Sequence, residues 1–171
     1  MILCLDVQYS EEKAFIAGGL FEKWTDANFL SLAKTIYEEP QAYESGKFYK
    51  RELPCLLKLI GELETLPSLI VIDGYCFLSS KEDKGLGSYL FDALDQKTPI
   101  VGVAKNSFKR SKAAIEIYRG QSEKPLFVTA VGIETNQVAE KVKNMHGEYR
   151  IPTLLKLVDS AVREMAKDDE I

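Results

Sequence analysis

The stretch Ser68-Leu69-Ile70-Val71-Ile72-Asp73 decides the fold class. An unbroken apolar run from Leu69 to Ile72, closed by an acid, is the pattern of a strand buried on both faces. A second such run, Ile100–Ala104 (IVGVA), ends at Lys105, and Gly85–Leu94 between them reads as a helix. Strand, helix and strand in that order suit a mixed sheet with helices on its faces. Upstream, Pro67 stops a helical stretch that begins at Phe48 and reaches Leu66. Its Leu53, Leu56, Leu57, Ile60 and Leu63 recur at spacings of three and four and predict one apolar stripe. Pro54 is expected in the first turn, where a missing N–H costs little. Further upstream, Ile2–Val7, Ala14–Phe21 and Phe29–Tyr37 read as strands, the second with a glycine pair expected to bend it. Downstream, Ala113–Tyr118 and Leu126–Val131 read as strands, and Gln137–Met145 and Pro152–Ala166 as helices. This order predicts an α/β protein, a mixed β-sheet flanked by helices, with ligands gathered at the carboxyl ends of its strands.

Composition narrows the chemistry. The 171 residues carry 22 basic and 26 acidic side chains, a net charge of −4. The length fits a single domain over residues 1–171. Without Asp168, Asp169 and Glu170 of the tail the body is nearly neutral, so no basic nucleic-acid coat surrounds it. Local patches remain: Lys105, Lys109, Arg110 and Lys112 follow one another without an acid, and Lys47, Lys50, Arg51 and Lys58 stand against Glu52. A solvated loop accounts for the first patch as readily as a phosphate-facing rim. The one histidine, His146, excludes a multi-histidine zinc site and leaves a Ser-His-Asp or Cys-His enzyme no other base. It reads as a surface or capping residue near a helix end. Cys4, Cys55 and Cys76 show no CxxC spacing. With no secretory leader pattern in MILCLDVQYS and no apolar run of membrane-spanning length, they predict a reducing cytoplasm and no membrane partner. Cys76 reads as a small half-buried filler rather than a nucleophile.

Hydrolytic chemistry in such a chain must rest on carboxylates, lysines or hydroxyls. Asp6 is expected to end the first strand, Asp73 the central one, and Glu52 to open the first long helix. If the first and fourth strands are neighbours, Asp6 and Asp73 lie side by side. Three convergent carboxylates repel one another, and a divalent cation relieves that repulsion. Such a cation also acidifies water and offsets charge on a phosphate. Lys105 beside them would hold a phosphate oxygen as a point charge. The plain alternatives are that the aspartates form turns, that Glu52 favours a helix N-terminus and that Lys105 is solvated.

Seven stretches point further. DVQY (Asp6–Tyr9), AYESGKFYKRE (Ala42–Glu52), Asp73–Gly74, GLGSYL (Gly85–Leu90), VGVAK (Val101–Lys105), PLFVTAVG (Pro125–Gly132) and YRIP (Tyr149–Pro152) follow one another over almost the whole chain. In order and spacing they resemble the endonuclease V family. The resemblance implies a ribonuclease H-like fold and Mg²⁺, with Mn²⁺ as a substitute, held by Asp6, Glu52 and Asp73. It implies Lys105 beside the scissile phosphate, so that Asp6, Glu52, Asp73 and Lys105 are the expected catalytic set. Tyr43, Gly46, Lys81, Lys109, Arg110 and Lys112 are the expected nucleic-acid contacts. The implied activity is cleavage near a deaminated base, chiefly hypoxanthine (deoxyinosine or inosine), in DNA or RNA, single-stranded or lesion-containing. It serves repair or processing. The cut falls at the second phosphodiester on the 3′ side and leaves 3′-hydroxyl and 5′-phosphate ends.

This sequence departs from the family pattern at three places. The base-separating wedge PYIP is Ala42-Tyr43-Glu44-Ser45, which keeps the aromatic but loses the stiffening prolines and gains an acid that phosphate repels. DGHG…HPR becomes Asp73-Gly74-Tyr75-Cys76…Ser79-Ser80-Lys81. The histidine of the VGH motif is replaced by Gly132 or Ile133. Two further functions are therefore open at this stage. One is a nucleic-acid-binding protein without turnover, and the other a metal-dependent phosphohydrolase of smaller substrates.

Overall fold

The computed structural model describes residues 1–80, 83–108 and 111–170. Seven strands form one sheet: β1 (Ile2–Tyr9), β2 (Lys13–Phe21), β3 (Ser31–Glu38), β4 (Leu69–Asp73), β5 (Ile100–Ala104), β6 (Ile115–Ile117) and β7 (Leu126–Val131). Their order across the sheet is β3-β2-β1-β4-β5-β7-β6. β1, β4 and β5 run parallel, while β2, β3, β6 and β7 join antiparallel. The central position expected of Leu69–Asp73 is correct, and both its neighbours are parallel.

Four helices cover the two faces. α1 (Phe48–Gly61) and α2 (Leu86–Ala93) pack with Leu3, Leu5, Ile70 and Ile72 on one side. α3 (Thr135–Lys143) and α4 (Thr153–Asp169) pack with Ile2, Cys4, Leu69 and Val71 on the other. Alternate residues of a strand point to opposite faces. Asp6 and Asp73 continue the parity of Cys4 and Val71, so both belong to the α4 face. Among the described residues no helix is long and apolar enough to cross a membrane.

Several local expectations change. β1 does not stop at Asp6, because its antiparallel ladder with β2 runs on to Tyr9–Ala14. α1 ends at Gly61, and Pro54 lies in its second turn rather than its first, so a backbone bond to Lys50 is forgone inside the helix. The buried face of α1 is Glu52, Cys55, Leu56, Leu59 and Ile60, rotated from the leucine stripe, with Leu53 and Leu57 at its margin. The glycine pair of β2 provides space instead of a bend: a Cβ on Gly18 would lie 2.7 Å from Leu59 and one on Gly19 2.2 Å from Phe29.

Candidate active site

The parallel ladder between β1 and β4 ends at Leu5–Ile72. Asp6 and Asp73 are the next residues on each strand, and both line a narrow cleft of about 20 Å³. Lys105, directly after β5, closes its rim, and its Nζ lies 3.3 Å from Asp73 Oδ2. Leu155 and Val158 of α4, with Ile151 before it, form the apolar wall opposite. Glu52 arrives from the other face. The guanidinium of its neighbour Arg51 stacks 3.8 Å from the ring centroid of Tyr9, which ties the first turns of α1 to the far end of β1.

The electrostatics of this cluster are those of crowded carboxylates. Burial, then the charge of Asp73, pushes Asp6 up to about 7, against a hydrogen bond from the Val7 N–H to its Oδ1. Glu52 is only 6% exposed. Burial, then Asp6 and Asp73, raises it well above the carboxylate range, and Arg51 opposes this only in part. Asp6, Glu52, Asp73 and Lys105 thus lie close enough for their charges to act on one another. Among the described residues, no three His, Cys, Asp or Glu side chains are closed into a ready ligand shell. The acids are near enough for Asp6 and Glu52 to be raised without being drawn together. An excess of neighbouring carboxylates, with Lys105 the cation in their cleft, suits a hard divalent ion.

Sequence reasoning missed a fourth acid. Asp159 of α4 contributes to the elevation of Asp6 and is itself bonded by Arg163 Nε at 2.9 Å. The available signal was its place beside Val158, on the margin of the buried stripe Leu154–Val158–Ala161–Val162. An acid there borders the core instead of facing open water. Two arginines were missed as well. Arg119, buried, donates to the carbonyls of Lys143, Met145, Gly147, Tyr149 and Arg150. Arg150 donates to the carbonyls of Lys105, Lys124 and Pro125. Arg150 therefore fixes the backbone that carries the site lysine.

Beside the carboxylates lies a second cavity, of about 300 Å³, lined by Tyr43, Gly46, Phe48, Tyr49, Gly74, Tyr75 and Phe108, among others. Gly46 and Gly74 have φ of +76° and +144°, and nothing stands within 4 Å of where a Cβ would be, so both present bare backbone. The Tyr75 hydroxyl donates to the Asn106 carbonyl at 2.6 Å and accepts from the Phe108 N–H at 3.1 Å, which straps the loop after β5 to the end of β4. Close approach also explains Gly102, where a Cβ would meet the Gly74 carbonyl at 2.4 Å.

The remaining candidates divide. Tyr43 and Gly46 join the larger cavity. Lys112 borders a neighbouring groove with Tyr75, Ser107 and Phe108. Lys81, Lys109 and Arg110 lie outside the described residues. Glu44, expected to repel phosphate, is paired with Lys47 at 2.5 Å and Lys50 at 3.5 Å. The Lys47 contact holds its carboxyl below the ordinary range, and its charge is offset locally. Cys76 is fully buried, not half-buried, and burial pushes its thiol up to about 12. His146 stands apart from the carboxylates, its Nδ1 2.9 Å from Thr153 Oγ1 at the start of α4.

The endonuclease V family model matches residues 1–123. The chain belongs to the endonuclease V family. That family comprises nucleases that hydrolyse phosphodiester bonds, and the carboxylates Asp6, Glu52 and Asp73 all fall within the matched residues. Solved endonuclease V structures share the fold. The Streptomyces avermitilis protein superposes with a TM-score of 0.78 at 23% identity, over 99% of this chain and 82% of its own. The Ciona intestinalis protein, in complex with a 24mer DNA containing an inosine followed by a ribo-adenosine, gives 0.79 at 20% identity, over 98% and 86%. The human protein gives 0.77 at 17%, over 99% and 81%. The architecture is accordingly the ribonuclease H-like one expected. A search among curated proteins gave no match.

Proposed function

We propose that the protein is a Mg²⁺-dependent endonuclease that cuts DNA or RNA strands near a deaminated purine, hypoxanthine in the first instance. The observation that carries this reading is the adjacency of two cavities. The carboxylate cleft with Asp6, Asp73 and Lys105 and the aromatic-walled cavity are lined by consecutive residues, Asp73 in the one and Gly74 in the other. The cavity has room for a flipped purine. Tyr43, Phe48 and Phe108 supply stacking faces, and the bare backbone at Gly46 and Gly74 can approach the base edge closely.

Asp6, Glu52 and Asp73 would hold the cation, with Asp159 near enough to add charge. When bound, the ion supplies positive charge and Lewis acidity at the scissile phosphate. Lys105 now neutralises Asp73. With that carboxylate otherwise engaged, its ammonium is free for a non-bridging phosphate oxygen. Arg150 keeps the lysine's backbone in place during this exchange. Water would add to phosphorus as the bond to the 3′ oxygen breaks, one water proton ending on that oxygen, so that a 3′-hydroxyl and a 5′-phosphate result. Three free, buried cysteines support a cytoplasmic setting.

The test is cleavage of end-labelled single strands, with and without one inosine, in Mg²⁺, Mn²⁺ or chelator. Metal-dependent cutting of the inosine strand, reduced at least a hundredfold by Asp73→Asn, is the expected result. Tight binding without any product would instead identify a binding protein on this fold. Turnover of phosphomonoesters alone would identify a phosphohydrolase of small substrates.

A further inference from the structure

We infer that Tyr149 and Lys156 form a second strand-binding subsite, a stacking platform for the nucleotide across the scissile phosphate from the pocketed base. The inference rests on the nuclease reading above and extends it to the other side of the cleft. Tyr149 is the most exposed large apolar side chain among the described residues, at 71%, and Tyr43 is second at 63%. They line different hollows of the surface. Tyr43 lines the aromatic cavity, whereas Tyr149 lines a groove of about 230 Å³ with Lys105, Arg150, Ile151, Lys156 and Asp159. Lys105 and Ile151 belong to that groove and to the carboxylate cleft alike, so the surface is continuous from one to the other.

The loop bearing Tyr149 is held unusually firmly for one so exposed. Arg119 Nη1 donates to the Tyr149 carbonyl at 2.7 Å and the Arg150 carbonyl at 3.3 Å. Its other donors reach Lys143 at 3.1 Å, Met145 at 2.6 Å and Gly147 at 2.9 Å. At the far end the Thr153 N–H donates to the His146 carbonyl at 2.9 Å. An apolar ring kept in water on a rigid backbone gains nothing for folding, but it is prepaid for stacking because little order remains to be imposed. With Lys105 paired to Asp73 and Asp159 to Arg163, Arg150 and Lys156 leave the groove the positive balance that a phosphate backbone requires. The occupant is thus a single strand leaving the cleft, its base on Tyr149 and its phosphate toward Lys156.

The experiment measures binding of 5′-labelled single-stranded DNA with one deoxyinosine by fluorescence anisotropy, with Ca²⁺ in place of Mg²⁺ to keep the strands intact. One series ends one nucleotide beyond the inosine and another runs three beyond it on the 3′ side. Wild type should bind the longer strand about tenfold more tightly than the shorter. Tyr149→Ala should lose that gain while binding the short strand normally, and Tyr149→Phe should keep it. Lys156→Ala should lessen the salt dependence for the long strand only. Tyr118→Ala, an exposed aromatic on the β6 side, should behave as wild type, and thermal melting should show every variant folded. A gain that persists in Tyr149→Ala, or a wild type with no gain, overturns the subsite while leaving the proposed function standing. Failure of wild type to bind any of the strands overturns the proposed function, and the subsite with it.

Discussion

Asp6 and Asp73 stand side by side because each is the first residue after Leu5–Ile72, the last pair of the parallel β1–β4 ladder. Paired strands bring their residues to a common level, so two carboxylates share one mouth of the sheet. The mutual repulsion is visible in Asp6, pushed to about 7 by burial and then by Asp73.

That elevation predicts a pH dependence of stability in the metal-free protein. The folded-state value lies above the ordinary 3.8, so the folded form binds the proton more tightly than the unfolded form. The resulting stabilisation is complete below about pH 4 and is lost as pH rises through about 7. Chemical denaturation in chelator should therefore show stability falling by a few kcal/mol between pH 4 and 8. Asp6→Asn should lessen the slope and leave the part that Glu52 contributes. Added Mg²⁺ should restore stability at pH 8 by about 2.7 kcal/mol at a hundred times its dissociation constant.

Asp159 separates a site acid from a surface one. Asp159→Asn should reduce cleavage at least tenfold at limiting Mg²⁺ and less at saturating Mg²⁺, if its charge strengthens cation binding. It should also bring Asp6 closer to the ordinary carboxylate range. Metal titration of activity and ¹³C-detected carboxyl titration measure the two effects. An unchanged Mg²⁺ requirement would place Asp159 outside the site.

Arg119→Ala should cost at least ~3 kcal/mol, because it strands carbonyls that a buried guanidinium now satisfies. A lowered Tm and faster amide exchange over residues 143–150 are the expected readouts. Arg119→Lys should rescue little, since one ammonium cannot reach five acceptors spread around a planar fork.

Tyr75→Phe removes only a hydroxyl, yet that hydroxyl joins the Asn106 carbonyl to the Phe108 N–H. Loosening the strap frees Phe108 as a wall of the aromatic cavity. KM for an inosine strand should rise several-fold with kcat little changed, and the preference over an unmodified strand should narrow. Steady-state kinetics on the paired strands provide the check.

Much of this molecule was legible beforehand. The uninterrupted run Leu69–Ile72 determined a buried central strand, because an edge or half-exposed strand would have needed polar alternation. Asp73 and Lys105 followed directly, since each closes such a run at the end of the sheet where ligands collect. The ordered motifs determined the family and singled out Asp6 and Glu52, which the fold brings close enough for Asp6 to raise Glu52. Other features depend on contacts between segments distant in sequence. Asp159 joins the carboxylates only because α4 packs on the face to which Asp6 and Asp73 point, and its local pattern is that of any amphipathic helix. Arg119 and Arg150 act on backbone carbonyls, which carry no side-chain signature. Tyr149 is brought into one groove with Lys105, 44 positions away in sequence, only by the fold. Local periodicity reports which face of an element is buried, whereas only tertiary packing decides which element lies opposite it.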